Sequence, residues 1–362
     1  MPLSENRVIV ACAGSGKTSL LVKDALSNPD RRIAILTYTN NNMREIISRF
    51  GEMNSGVPKH VDVATWFTFL LHECARPYQR SKYAEKRIEA IAWVNGRSTR
   101  GIPETDTRRY YFASGERVYQ DKIAQFIIRC QEVSGNRVTA RLQQIYTDVF
   151  IDEFQDLAGW DLNIVEMLLR SGMRITLVGD PRQCIYSTNL SAKNAKYRRI
   201  GVTALAEEWE EADLCRIEPL SGSHRCNQGI CDIANGLWPG MEAMSPMTND
   251  TTEHDGVFLV AKDVAREYIA RFDPQVLRYS SIAESYGSAA LNFGLSKGLQ
   301  FNRVLIVPTE PIRKYLKTGN LKHVEASKDK FHVAVTRARH SVAFVYDGPS
   351  VIVATRWPSS DA

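Results

Sequence analysis

The stretch Val8-Ile9-Val10-Ala11-Cys12-Ala13-Gly14-Ser15-Gly16-Lys17-Thr18 limits the fold of this chain more than any other. A short β-branched run enters a glycine loop, and Leu20, Leu21 and Val22 carry a helical pattern out of it. Strand, glycine loop and helix in that order form the context of a phosphate-binding loop. Gly14 and Gly16 let the backbone wind until its N–H groups face inward as an anion nest. The pattern therefore predicts that Ala13, Gly14, Ser15 and Gly16 cradle phosphates, with Ser19 just inside the helix. Lys17 then reaches the β- and γ-phosphates, and Thr18 offers its hydroxyl to Mg2+. The dipole of the following helix adds to the attraction. Ala11 stands where the strict pattern has its first glycine, a position that only begins the turn.

The rest of the chain continues the same texture. Arg31–Thr37 and Val61–Thr65 read as buried strands, with helical spacing over Met43–Phe50 between them. Strands alternating with helices predict a doubly wound α/β layer. From about Cys74 to Ala140 charges and aromatics mix, as in Arg108-Arg109-Tyr110-Tyr111-Phe112, and a mostly helical insertion is expected there. Its basic-aromatic stretch is either a solvated helix face or a nucleic-acid contact. The α/β pattern returns at Asp148–Asp156, and a second unit follows, with strands expected at Gly256–Val260, Gln275–Tyr279, Val304–Val307 and Ser341–Tyr346. With 362 residues there is room for two cores.

A strand ending in Asp152 and Glu153 places two acids where sheet ligands bind. Asp152 is suited to hold Mg2+ through water, and Glu153 to orient and deprotonate an attacking water. The next strand, Arg174–Val178, leads to Gly179-Asp180-Pro181-Arg182-Gln183. The Gln183 amide can sense a γ-phosphate because it both donates and accepts hydrogen bonds. Tyr186 either couples that signal to a neighbouring surface or packs in the core. A net charge of +5 permits a nucleic-acid partner without requiring one. Seven cysteines scattered through apolar segments read as free thiols of a reducing compartment, so a cytoplasmic protein is expected. Cys226, Cys231 and His224 lack a second pair at zinc-ligand spacing. No apolar run reaches the roughly 18 residues of a membrane span.

These pieces, in this order, resemble the UvrD/Rep-type superfamily 1 DNA helicases. Ala13–Thr18 is similar to their first motif, Thr37-Tyr38-Thr39-Asn40 to motif Ia, Asp152–Asp156 to the second and Val178–Gln183 with Tyr186 to the third. His224-Arg225 resembles the fourth, Lys297-Gly298-Leu299-Gln300-Phe301 the fifth and Val335-Thr336-Arg337-Ala338 the sixth. The resemblance implies an α/β fold with two RecA-like P-loop NTPase domains and parallel sheets, turning over ATP with Mg2+ in the cleft between them. It implies residues 1–73 and 141–214 as the first domain, 74–140 as a small insertion and 215–362 as the second, without a large accessory subdomain. Arg225 and Arg337 would be γ-phosphate arginines, Gln183 the γ-phosphate sensor, and His224, Gly298 and Gln300 would lie at the nucleotide. Thr37, Tyr38, Asn40, Thr65, Trp66, Phe67, Tyr186 and Lys297 would meet single-stranded DNA.

The chain departs from the family at several points. Met1–Arg7 holds no glutamine to read adenine, and His224 stands where the family usually stacks a tyrosine on that base. Gln300 and Gly294 replace a usual glutamate and histidine, and Ser187-Thr188-Asn189 follows Tyr186 where a base-packing tryptophan is general. The compact form is similar in architecture to the helicase-like subunit of the Gabija antiphage system, which works beside an OLD-family nuclease. Two functions follow from the resemblance. One is an ATP-dependent helicase or translocase on single-stranded or tailed duplex DNA. The other is a DNA- or nucleotide-sensing ATPase switch that regulates a partner nuclease without unwinding. A P-loop kinase or GTPase would need an acceptor site or guanine-reading loop that the sequence does not present.

Overall fold

The computed structural model describes residues 5–189 and 191–358. The chain forms two compact units, Met1–Val10 with Lys17–Glu218 and Ala11–Gly16 with Pro219–Ala362. Both are built on a six-stranded sheet with helical crossovers, the α/β architecture of RecA-like domains.

The strands of the first sheet are β1 (Arg7–Ala11), β2 (Ile33–Thr37), β3 (Val61–Thr65), β7 (Asp148–Asp152), β8 (Arg174–Gly179) and β9 (Arg216–Leu220). Their order across the sheet is β3-β2-β7-β8-β1-β9. β3–β2, β2–β7, β7–β8 and β8–β1 all pair in parallel. Ile33–Thr37 and Asp148–Asp152 are buried along their whole length, as strands covered by helices on both faces must be. Thr37 pairs with Thr65, and Asp152 with Val178, so the carboxyl ends of these strands line one edge. Helix α1 (Lys17–Leu26) follows β1 and helix α2 (Asn40–Asn54) follows β2. The Thr39 hydroxyl accepts from the Asn42 N–H at 3.1 Å and stops the first turn of α2 from fraying. The short helix α3 (Trp66–Phe69) is capped in the same way by Thr65.

Between β3 and β7, the stretch expected to be mostly helical holds helices and a three-stranded sheet as well. Its strands β4 (Ala90–Ala92), β5 (Phe112–Ala113) and β6 (Arg117–Tyr119) lie in the order β4-β6-β5, the first pair parallel and the second antiparallel. Tyr111, Phe112 and Phe126 from this insertion join Trp66, Phe154 and the helix Asp161–Leu169 in one continuous apolar core.

The second unit opens with β10 (Gly222–Ser223), paired with β11 (Ser245–Pro246). Its main sheet comprises β12 (Gly256–Val260), β13 (Gln275–Arg278), β14 (Ala290–Asn292), β15 (Phe301–Val307), β16 (Ala338–Val345) and β17 (Thr355–Trp357), in the order β14-β13-β15-β16-β12-β17. All its pairings are parallel. The helix Gln228–Leu237 is capped by the Asn227 side chain, which accepts from Ile230 N–H at 3.2 Å. At one edge of the apolar core His254 is sandwiched between Phe258 and Phe272, with ring centroids 3.9 and 3.7 Å away. All seven cysteines are free and buried. Among the described residues no helix is long and apolar enough to cross a membrane.

Candidate nucleotide and nucleic-acid site

At the carboxyl end of β7 the chain turns sharply. Glu153 takes a left-handed backbone conformation, φ 56°, and its N–H donates to the Asp152 carboxylate at 2.9 Å. This strained geometry for a non-glycine residue aims the two acids differently. Burial and the neighbouring Glu153 push the Asp152 carboxyl up to about 7, and the Lys17 ammonium acts in the opposite sense. A buried carboxylate beside a second one is a site short of positive charge.

Glu153 is held by a relay that the sequence did not disclose. The Gln155 amide donates to the Glu153 carboxylate at 2.5 Å, while its carbonyl oxygen accepts from the Asp180 N–H at 3.2 Å. The Asp180 carboxylate in turn accepts from Gln183 Nε2 at 2.7 Å and from Arg182 Nε at 2.9 Å. The relay thus joins the proposed base to the proposed sensor through buried groups. Gly179 is required where β8 ends, because a Cβ there would fall onto Gln155 Oε1 and lie 2.7 Å from Phe154 Cδ1. Gln155 and Asp180 stand in the quoted motifs, but only the β7–β8 pairing brings them together.

The glycine loop has the backbone its composition predicts, with φ 72° at Gly14 and 81° at Gly16. Its residues Ala11–Gly16 group with the second unit, where Ser223 Oγ donates to the Ala13 carbonyl at 2.8 Å and His224 N–H to the Gly14 carbonyl at 2.8 Å. A Cβ on Gly14 would lie 2.5 Å from Arg225 Cβ, so only glycine fits. The Ser15 hydroxyl is buried and without a hydrogen-bond partner among the described residues. An orphaned donor in an inward-wound loop fits a bound phosphate. The donor set of Thr18 hydroxyl and Asp152 carboxylate, hard oxygens both, fits Mg2+.

The remaining nucleotide candidates gather in the second unit. Arg225 donates to the Thr336 carbonyl at 3.1 Å and to Gln300 Oε1 at 3.4 Å. Arg337 is buried and donates to the carbonyls of Val333 and Leu299, both at 3.1 Å. The structure therefore brings Arg225, Gln300 and Arg337 to one place, with Gly298 exposed beside them at φ 85° and Lys297 half-buried. Cys226 Sγ faces the Thr336 carbonyl at 3.8 Å, and Cys231 Sγ the Cys226 carbonyl at 3.7 Å.

The DNA candidates of the first unit divide sharply. Tyr186, 40% exposed, lies 6.5 Å from Tyr38, which lies 6.1 Å from Phe67. Asn40 is exposed at the start of α2, Thr37 is buried with a hydroxyl that has no hydrogen-bond partner among the described residues, and Thr65 caps α3. Trp66 corrects the expectation. It is 1% exposed, and its indole N–H donates to Asp161 at 3.0 Å, so its ring is spent on the core and cannot meet a base. Phe67, 3% exposed, is likewise a core ring and not a base contact. The sequence missed Trp93, which is 66% exposed and sits edge-on to Phe67 at 5.1 Å.

Comparison with known proteins agrees with this geometry in part. Residues 78–195 match the family described as the UvrD/REP helicase N-terminal domain, about a third of the chain. That segment includes Asp152, Glu153, Gln155, Gln183 and Trp93. No curated protein sequence matches the chain. Among solved structures the chain is similar in fold to the arterivirus nonstructural protein 10 helicase, with TM-score 0.50 and 16% identity over 95% of this chain and 60% of that one. The same viral helicase in complex with DNA aligns with TM-score 0.46 and 16% identity, again over 95% and 60%. The chain thus spans 60% of the length of these structures.

Proposed function

We propose that this chain is an ATP-driven helicase or translocase acting on single-stranded DNA. The observation that carries this reading is the relay Glu153–Gln155–Asp180–Gln183 beside Lys17, because it ties a candidate general base to a candidate phosphate sensor. The UvrD/REP match over residues 78–195 supports it.

In this reading the N–H groups of Ala13–Gly16, with Ser15, Lys17 and Ser19, bind the phosphates, and His224 lies toward the base. Thr18 and Asp152 would hold Mg2+, which when bound neutralises charge on the β- and γ-phosphate oxygens. Glu153, fixed by Gln155, takes the proton of the attacking water, a role that contributes about 10²–10⁴-fold. Arg225 and Arg337 stabilise charge developing on the transferred phosphoryl group. Gln183 reports the γ-phosphate to Tyr186 through the two residues between them, and Tyr186 with Tyr38 grips the strand while the buried Phe67 backs Tyr38. We assign residues 1–73 and 141–214 as the turnover domain, 74–140 as its insertion and 215–362 as the second domain. Lys297 contributes a charge to the phosphate path.

Release of streptavidin from a biotin-ended oligo(dT) strand tests the reading. We expect release that requires ATP and is lost in Glu153→Gln. DNA-stimulated ATP turnover without release would instead favour a DNA-sensing switch acting on a partner, such as a nuclease.

A further inference from the structure

From the placement of Trp93 we infer that the insertion supplies the base-stacking platform of the first unit, with an unpaired nucleobase of single-stranded DNA as its ligand. The inference rests on the DNA-binding reading above and adds a residue to it.

Three observations carry it. First, Trp93 is 66% exposed although its edge contact with Phe67 at 5.1 Å fixes the ring. An exposed indole face backed by a core ring is available to stack on a base. Phe67 is itself only 3% exposed, so it backs Trp93 from the core side, and the exposed faces of this ring chain are those of Trp93 and the 40% exposed Tyr186.

Second, the chain after Tyr186 is committed elsewhere. Thr188 and Asn189 are buried, and Thr188 Oγ1 accepts from the Ala158 N–H at 2.9 Å. The Gln120 side chain donates to the Thr188 carbonyl, and Asn189 Nδ2 donates to the Asp121 carbonyl at 3.1 Å. These bonds dock the rim of the insertion onto the Ser187-Thr188-Asn189 segment. Gln120 N–H in turn donates to the carbonyl of Ala92 at 3.0 Å, immediately before Trp93. The segment that carries no tryptophan of its own therefore holds the insertion that presents one.

Third, the surroundings suit a polyanion. From Ala90 to Pro103 there is no acidic residue, and Arg97 and Arg100 are exposed in the loop that follows Trp93. That loop is anchored where Ser98 N–H donates to Asp121 at 3.0 Å. Exposed arginines flanking an aromatic face are the combination that binds strands through phosphate charge and base stacking together.

The test compares binding of oligo(dT) with binding of an abasic oligonucleotide of the same length, at fixed salt, for the full chain. Trp93→Ala should weaken oligo(dT) binding by about 5- to 150-fold, the factor one base–aromatic stack is worth, and leave abasic binding unchanged. Trp93→Phe should keep most of the affinity, which separates stacking from a folding defect. Because Trp93 is the most exposed of the six tryptophans, oligo(dT) should also quench the chain's indole emission. Wild-type binding of oligo(dT) that Trp93→Ala leaves intact, or weakens equally for the abasic strand, would overturn the platform while the DNA reading stands. A wild-type chain that binds neither strand overturns both.

Discussion

The two units share an architecture and differ in the side chains that their strand ends and loops present. In the first, the strand ends carry carboxylates and amides that bond to one another, Glu153 to Gln155 and Asp180 to Gln183. In the second, the functional candidates are guanidinium groups fixed to main-chain carbonyls, Arg225 to Thr336 and Arg337 to Val333 and Leu299. A hydrogen-bonded network of this kind can orient a carboxylate, whereas a cation held by carbonyls offers charge at a fixed point. In the proposed function the same parallel sheet carries the candidate base in one unit and the candidate phosphate arginines in the other, according to what its loops present.

That contrast can be broken at either side. The largest effect is expected in the second unit, where Arg225→Ala should lower kcat of ATP hydrolysis by about 10³–10⁵-fold with a much smaller change in KM. A proportional change in KM alone would make Arg225 a ground-state ligand. In the first unit, Glu153→Gln should lower kcat by about 10²–10⁴-fold while fluorescent ATP-analogue binding persists. Turnover near wild type would remove Glu153 as the base.

The second unit's buried titratable ring sharpens the same comparison. Burial, with Arg303 and Arg271 nearby and Asp255 opposing, depresses His254 from 6.5 to about 4. Folded His254 stays neutral while the unfolded chain takes up a proton as pH falls below 6.5. The His254 contribution to stability is therefore complete above that pH and declines by about 3 kcal/mol between pH 6.5 and 4. It is read as the difference between wild type and His254→Phe, because the raised carboxyls of Asp152 and Asp161 act in the opposite sense. Denaturant titrations of both chains at pH 7 and 4.5 check it. The smallest effect is expected for Gly179→Ala, about 1–3 kcal/mol of stability from overpacking against Phe154 and Gln155. A drop in kcat at unchanged ATP binding would show that the displaced Gln155 was orienting Glu153.

The longer parallel strands were legible as β-branched or apolar runs between turn residues, and Val61–Thr65 and Gly256–Val260 occur at the bounds expected, whereas the three-residue strands Ala290–Asn292 and Thr355–Trp357 were not foreseen. The insertion's sheet was not, since strands of two or three residues leave no alternation to read. Trp66 and Trp93 show why aromatic roles resist sequence reading. Trp66 follows a strand in a motif-like stretch, yet Asp161, 95 residues on, draws its indole inward. Trp93 lies in an unremarkable stretch and gains its exposed place only when Gln120 and Asn189 dock the insertion. The relay was hidden for a similar reason: Gln155 and Asp180 are separated in sequence, and strand pairing makes them neighbours.

The central claim is that the strand ends of the first unit hydrolyse ATP under the control of single-stranded DNA. Steady-state ATP hydrolysis with and without oligo(dT), for the wild type and Lys17→Ala, tests it most directly. The account expects turnover that the strand stimulates and that Lys17→Ala abolishes. Hydrolysis indifferent to the strand, or surviving the loss of Lys17, would contradict it.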